Sequence, residues 1–157
     1  SYGGLVATLY TRAHPQEVAG LVMVDTVSEK MADVVSPQAL RNWSDDNARP
    51  SDVVREGVDL LDPFRQINPP PPMPTVPAIV LAADKPWRID LLPPEIRERE
   101  GVTFANWLTE LHLLARSLRA PLITRTNSGH DIYLYSPDLV VDAARSILHQ
   151  ARDARSR

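Results

Sequence analysis

The sequence contains no cysteine, and this absence excludes both disulfides and thiolate-bound zinc. No apolar run reaches the roughly 18 residues that a membrane-spanning helix needs. The chain also lacks an excess of basic residues, since 17 Lys and Arg stand against 20 Asp and Glu, with a net charge of -3. The sequence therefore predicts neither a nucleic-acid-binding surface nor a membrane segment.

The remaining composition is that of an ordinary globular protein. The chain has 157 residues, of which 43% are hydrophobic and 24% are charged. A chain of this length is able to bury a single hydrophobic core.

Three short apolar runs predict strands that are covered on both faces of a parallel sheet. They are Val18 to Asp25, Ala78 to Ala83 and Pro121 to Thr126. Segments with helical spacing alternate with them, and this alternation is typical of an α/β fold with flanking helices. The predicted helical segments are Gly3 to His14, Phe104 to Leu118 and Leu139 to Gln150.

A long insertion, Thr26 to Thr75, separates the first two predicted strands. It contains two predicted helices, Pro37 to Trp43 and Ser51 to Leu61, followed by the proline run Pro69 to Pro72. Dense prolines favour a stiff polyproline II segment that returns the chain to the sheet. We therefore expect residues 1–25 and 76–157 to form the core and residues 26–75 to form a helical cap.

Two motifs flank this pattern. Ser1-Tyr2-Gly3-Gly4 leads directly into the first predicted helix, and Gly129-His130-Asp131-Ile132 follows the third predicted strand. A serine followed by a small-residue turn and a helix is the second half of the nucleophile elbow, G-x-S-x-G. Together with VAGLVMVD, AIVLAAD and NSGHDIYLYSPDLVVDAA, these motifs make the chain resemble the α/β-hydrolase fold superfamily, in the portion that starts at the nucleophile serine.

The resemblance implies a catalytic triad in the order serine, acid, histidine. Ser1 would attack an acyl carbonyl, and His130 would take the serine proton and return it to the leaving group. Asp84, at the end of a buried strand, would orient His130, and the amide of Tyr2 would be one oxyanion donor. The other histidines lie within or beside helical segments and are expected to be ordinary structural or surface residues: His14, His112 and His149.

The acid has alternatives. Asp25 ends the preceding predicted strand, so it occupies the same kind of position as Asp84. Asp90 and Asp131 are weaker candidates, because Asp131 is adjacent to His130 in sequence and is expected to point away from it. We expect the carboxylate of Asp84, rather than that of Asp25, to lie within hydrogen-bond reach of His130.

The predicted activity is hydrolysis of a small or medium carboxylic ester, or of a related amide, lactone or thioester. A serine in the elbow argues against the epoxide hydrolase and haloalkane dehalogenase branches, which need a carboxylate nucleophile. Trp43, Phe64 and Trp87 are candidates for an apolar substrate pocket. No metal or organic cofactor is implied, and the sequence indicates neither the oligomeric state nor the compartment.

Two other classes stay open. In an N-terminal-nucleophile amidohydrolase the α-amine of Ser1 would be the base, but His130 would then have no role. The other class is a non-catalytic member of the fold, or a fragment that acts as an interaction unit. Because the early strands and the second oxyanion donor precede the elbow in this fold, we expect the intact protein to be the enzyme. The chain from Ser1 alone is expected to be nearly inactive.

Overall fold

The computed structural model describes residues 2–48, 62, 65–66, 72–86, 94 and 102–156. Within them, one sheet contains three parallel strands in the order β1-β2-β3. β1 (Leu21–Val24) pairs with β2 (Ala78–Leu81), and β2 also pairs with β3 (Leu122–Ile123). This topology confirms the prediction of three neighbouring parallel strands, although each observed strand is shorter than its apolar run.

Helices flank the sheet, as the alternating pattern predicts. The Phe104 to Leu118 prediction matches the observed helix at both ends, and the last helix is longer than predicted. The α-helices bounded within the described residues are α1 (Gly3–Ala13), α2 (Pro37–Ala48), α3 (Phe104–Leu118), α4 (Ile132–Tyr135) and α5 (Pro137–Arg155), with 3₁₀ helices at Pro15–Glu17 and Glu29–Asp33.

The sheet separates two hydrophobic clusters, because successive side chains of a strand point to opposite faces. In β2, Val80 packs into a cluster with Leu5 of α1 and Leu111 of α3. Its neighbour Leu81 packs into the other cluster, which includes Ile147 of α5. The described residues therefore form helical layers on both sides of a small parallel sheet.

Helix α3 has well-defined ends. The hydroxyl of Thr103 accepts a hydrogen bond from the amide of Asn106, which satisfies one of the unpaired donors of the first turn. Arg119 ends the helix in the left-handed region, with a φ of 52°. Between these ends, α3 contacts the segment after β1 through Trp107 and Glu110.

Part of the predicted insertion lies within the described residues. The predicted helix Pro37 to Trp43 is confirmed as the first part of α2. The predicted helix Ser51 to Leu61 and most of the proline run lie outside the described residues, so the division into core and cap stays a prediction. Across the described part of the chain, no helix is long and apolar enough to span a bilayer.

Candidate functional site

Polar side chains gather at the carboxyl ends of the three strands. Asp25 directly follows β1, Asp84 follows β2 after two alanines, and His130 lies in the loop after β3. Because parallel strands end at the same edge of a sheet, these three residues lie on one side of the molecule. This edge is where ligands bind in open α/β folds.

The carboxylate of Asp25 is completely buried and surrounded by donors. Its Oδ1 accepts hydrogen bonds from the amide of Ala83 at 2.8 Å and from the indole N–H of Trp107 at 3.1 Å. The backbone of Asp25 lies in the left-handed region, with a φ of 39°, which is uncommon outside glycine and is best tolerated by Asn and Asp. A buried carboxylate needs such partners because an unpaired buried charge is costly.

His130 supplies the third partner of this carboxylate. Its Nδ1 lies 2.8 Å from Oδ2 of Asp25. An ionised carboxylate only accepts hydrogen bonds, so with Asp25 in that form Nδ1 is the donor, and a neutral imidazole then has its lone pair on Nε2. The side chain of His130 is 39% exposed whereas that of Asp25 is inaccessible, so the imidazole stands between a buried acid and solvent. This is the arrangement of a general base with an orienting acid.

The structure corrects the expected hydrogen-bond partner of His130, which is Asp25 and not Asp84. Its carboxylate accepts hydrogen bonds from the amides of Asn127 at 2.9 Å and Ser128 at 2.8 Å, and Asp25 is the carboxylate bonded to His130. Burial opposes ionisation of Asp84, but these backbone hydrogen bonds and the charge of Lys85 outweigh it and lower the pKa of Asp84. The physical reason is that two amides of the loop after β3, which precede His130 in the chain, donate to the Asp84 carboxylate.

Asp84 therefore holds the loop that carries the histidine. Its own amide donates to the carbonyl of Ser128 at 3.0 Å, so backbone and side chain both bind the same segment. The hydroxyl of Thr126 donates to the carbonyl of Ala82 at 2.9 Å and ties the loop to the end of β2. Asn127, between them, has a φ of 49°. The loop is thus fixed two residues ahead of His130.

The predicted nucleophile, Ser1, lies outside the described residues. Tyr2, the predicted oxyanion donor, immediately precedes α1, and its carbonyl accepts the amide of Leu5 at 2.9 Å. Gly4 is buried against Thr26, and a Cβ on Gly4 would overlap the Thr26 side chain. Thr26 directly follows Asp25. The N-terminal turn of α1 therefore lies beside Thr26, one residue from the buried carboxylate.

Of the other residues named in the sequence analysis, some lie within the described residues and some lie outside them. Trp43 is half-buried and packs edge-on against Trp107, with ring centroids 6.2 Å apart. Phe64, Trp87 and Asp90 lie outside the described residues. Asp131 precedes α4, and its carbonyl accepts the amide of Leu134.

Two residues of α3 at this site have no counterpart in the sequence predictions. Trp107 contacts both members of the acid–histidine pair, with its ring centroid 6.0 Å from that of His130. Glu110, fully buried, accepts hydrogen bonds from the amide and the hydroxyl of Ser28. Trp107 has the spacing of a core residue, but a glutamate on the apolar face of a helix, next to Leu111, was a signal in the sequence.

Other features of the described residues do not add to this site. No group of three or more His, Asp or Glu residues within them is arranged to hold a metal ion. A shallow groove on α5 is lined by Arg145, Leu148, His149, Arg152 and Asp153, and its exposed His149–Asp153 pair is typical of a solvated helix face. No protein-family model, curated protein or solved structure matches the chain.

Proposed function

We propose that the protein is a serine hydrolase of the α/β-hydrolase type, acting on carboxylic esters or related acyl substrates. The observation that carries this proposal is the bond between buried Asp25 and half-exposed His130 at the carboxyl edge of the sheet. A buried, fully hydrogen-bonded acid that fixes the tautomer of a solvent-facing imidazole is suited to general-base catalysis. In this proposal Asp25 takes the acid role that the sequence suggested for Asp84.

Ser1 is the proposed nucleophile because of the elbow-like sequence and the position of α1. It precedes Gly4 by three residues, and Gly4 packs against the neighbour of Asp25. The amide of Tyr2 would stabilise the oxyanion from the start of α1, where the helix dipole favours negative charge.

The reaction would proceed in two steps. First, the hydroxyl oxygen of Ser1 bonds to the acyl carbon while Nε2 of His130 takes the serine proton. The tetrahedral intermediate then collapses, and its alcohol leaves with that proton, so an acyl-serine remains. Water next attacks the acyl-serine, giving its proton to His130, which returns it to Ser1 as the carboxylic acid departs. Asp25 stays ionised throughout and stabilises the imidazolium.

The test is hydrolysis of a short-chain aryl ester by the full-length protein and by single variants. Ser1→Ala and His130→Ala should abolish turnover, and Asp25→Asn should lower kcat by about 10⁴-fold because it disturbs the histidine tautomer. Asp84→Asn is the comparison variant, since it removes the same charge at the next strand end; it should cost far less activity than Asp25→Asn, because Asp84 holds the histidine loop but does not contact His130.

A fluorophosphonate probe gives a second readout, because it labels only activated serines. Mass spectrometry should locate the label on Ser1, and labelling should disappear in Ser1→Ala and His130→Ala. Turnover that survives Ser1→Ala would refute the nucleophile assignment. Loss of activity in Asp84→Asn but not in Asp25→Asn would refute the acid assignment.

A further inference from the structure

The indole of Trp107 contacts both members of the acid–histidine pair. Its N–H donates to Oδ1 of Asp25 at 3.1 Å, and its ring meets the His130 ring edge-on, at an interplanar angle of 74°. Trp107 is only 3% exposed. A buried side chain that reaches both groups is placed to control how they face each other.

The chemistry of these contacts determines the orientation of the Asp25 carboxylate. The amide of Ala83 and the indole of Trp107 both donate to Oδ1, which leaves Oδ2 for His130. The indole N–H is a donor only, so it cannot turn to accept the histidine proton or compete for it. Rotation of the carboxylate would break both bonds to Oδ1, and the pair is thereby held in one arrangement.

Trp107 is itself fixed by its surroundings. Trp43 of α2 packs against it in a T-shaped contact, which is favourable for aromatic rings. One turn further along α3, Glu110 accepts the amide of Ser28 at 2.8 Å. Helix α3 therefore binds the segment after β1 at Asp25 and again at Ser28, and these bonds hold a backbone that includes the strained φ of Asp25.

We infer that Trp107 is a positioning residue for the catalytic pair, acting through the carboxylate of Asp25. This inference rests on the proposed hydrolase function, in which the orientation of His130 toward Ser1 sets the rate. Side chains that orient metal ligands without touching the metal affect activity by about 10–100-fold, and we expect an effect of that size for a side chain that orients an acid–histidine pair. We expect Trp107 to affect kcat rather than KM, because its side chain is buried behind the pair.

The kinetic test compares Trp107→Phe with Leu114→Val in the full-length protein. Trp107→Phe removes the N–H and keeps an aromatic ring, so kcat for a short-chain aryl ester should fall by about 10–100-fold with KM nearly unchanged. Leu114→Val removes buried volume from the same helix and the same hydrophobic cluster, leaves the bond to Asp25 in place, and should keep kcat within about twofold. Equal losses in the two variants would overturn the inference.

A double-mutant cycle separates positioning from general structural support. If Trp107 acts through Asp25, Trp107→Phe should lower the residual kcat of Asp25→Asn by less than about twofold. If Trp107→Phe costs as much in that background as in the wild type, its effect does not pass through Asp25 and the inference fails.

NMR tests the same contact without any reference to hydrolysis. In the wild type, the Nδ1 proton of His130 should give a far-downfield resonance, and one of the three tryptophan indole N–H signals should move in Asp25→Asn. Trp107→Phe should remove that indole signal and shift or broaden the His130 proton. An unchanged His130 resonance in Trp107→Phe would overturn the positioning role even if hydrolysis is confirmed. The expected shifts in an inactive protein would refute the proposed function alone.

Discussion

Glu110 allows the most quantitative prediction from this structure. Its side chain is completely buried, its Oε1 accepts two hydrogen bonds from Ser28, and its Oε2 has no partner among the described residues. Burial is the main cause that raises the pKa of Glu110, the bonds from Ser28 lower it and the nearby charge of Glu29 raises it, and together these effects bring it to about 8. Glu110 is therefore mostly protonated in the folded protein at neutral pH and ionised in the unfolded chain.

This difference in protonation makes stability depend on pH. The pKa of Glu110 is higher in the folded than in the unfolded state. Its contribution to the free energy of unfolding is therefore complete below the unfolded pKa, near 4.5, and is lost as the pH rises toward 8. At 1.36 kcal/mol per pH unit, the full shift corresponds to roughly 5 kcal/mol. Between about pH 5 and pH 9 the expected loss from Glu110 is about 4 kcal/mol, a large part of the stability of a small domain.

The assay is chemical denaturation followed by circular dichroism, at several pH values, for the wild type and Glu110→Gln. Glutamine keeps the acceptor for Ser28 and resembles the protonated acid, but it does not titrate. The free energy of unfolding of the wild type should therefore fall relative to that of Glu110→Gln as the pH rises. Parallel curves for the two proteins across this range would refute the argument that the glutamate is buried in its neutral form.

Three further predictions concern backbone contacts and the histidine loop. Gly4→Ala should destabilise the protein by about 1–3 kcal/mol in thermal or chemical unfolding, because the new Cβ overlaps Thr26, whereas Gly3→Ala meets nothing within 4 Å and should be neutral or stabilising. Gly20→Ala should destabilise similarly, since its Cβ would lie 2.8 Å from the carbonyl oxygen of Pro77; wild-type unfolding of this variant would contradict the packing. Asp84→Asn should lower stability at neutral pH, and because the folded pKa of Asp84 is lowered, the difference should begin to shrink as the pH falls below about 4 and vanish once the pH is below the folded pKa; a difference that persists in strong acid would show that the charge is not the cause.

The sheet was predictable from sequence because its strands are continuous apolar runs. A strand buried on both faces must be apolar at successive positions, and Ala78–Leu81 is buried at all four. β2 ends earlier than its predicted run because apolar residues beyond its last paired residue still pack in the core. Ala82 and Ala83 are buried in this way after the end of β2.

The helix of the α3 segment was predictable for a different reason. Its buried positions Trp107, Leu111 and Leu114 recur with a helical period, and Thr103 is a good N-cap residue. The same period hid the contacts of Trp107 with Asp25 and His130, because a buried indole at a core position looks like any other core aromatic in the sequence. Only its N–H, whose direction depends on the fold, distinguishes it.

The choice between Asp25 and Asp84 could not be made from the sequence, because both follow buried strands and both can reach the carboxyl edge of the sheet. Asp84 was the first choice because it ends a buried strand, and Asp25 shares that property. In the structure β3 neighbours β2, and the amides of Asn127 and Ser128, which follow β3, donate to the two carboxylate oxygens of Asp84. One strand further away, Asp25 meets no loop amide from the β3 segment, and its left-handed backbone leaves the carboxylate between β2 and α3, with Oδ2 left for the imidazole. Which carboxylate bonds to the imidazole therefore depends on which backbone amides donate to each carboxylate, and this loop geometry is not contained in sequence spacing.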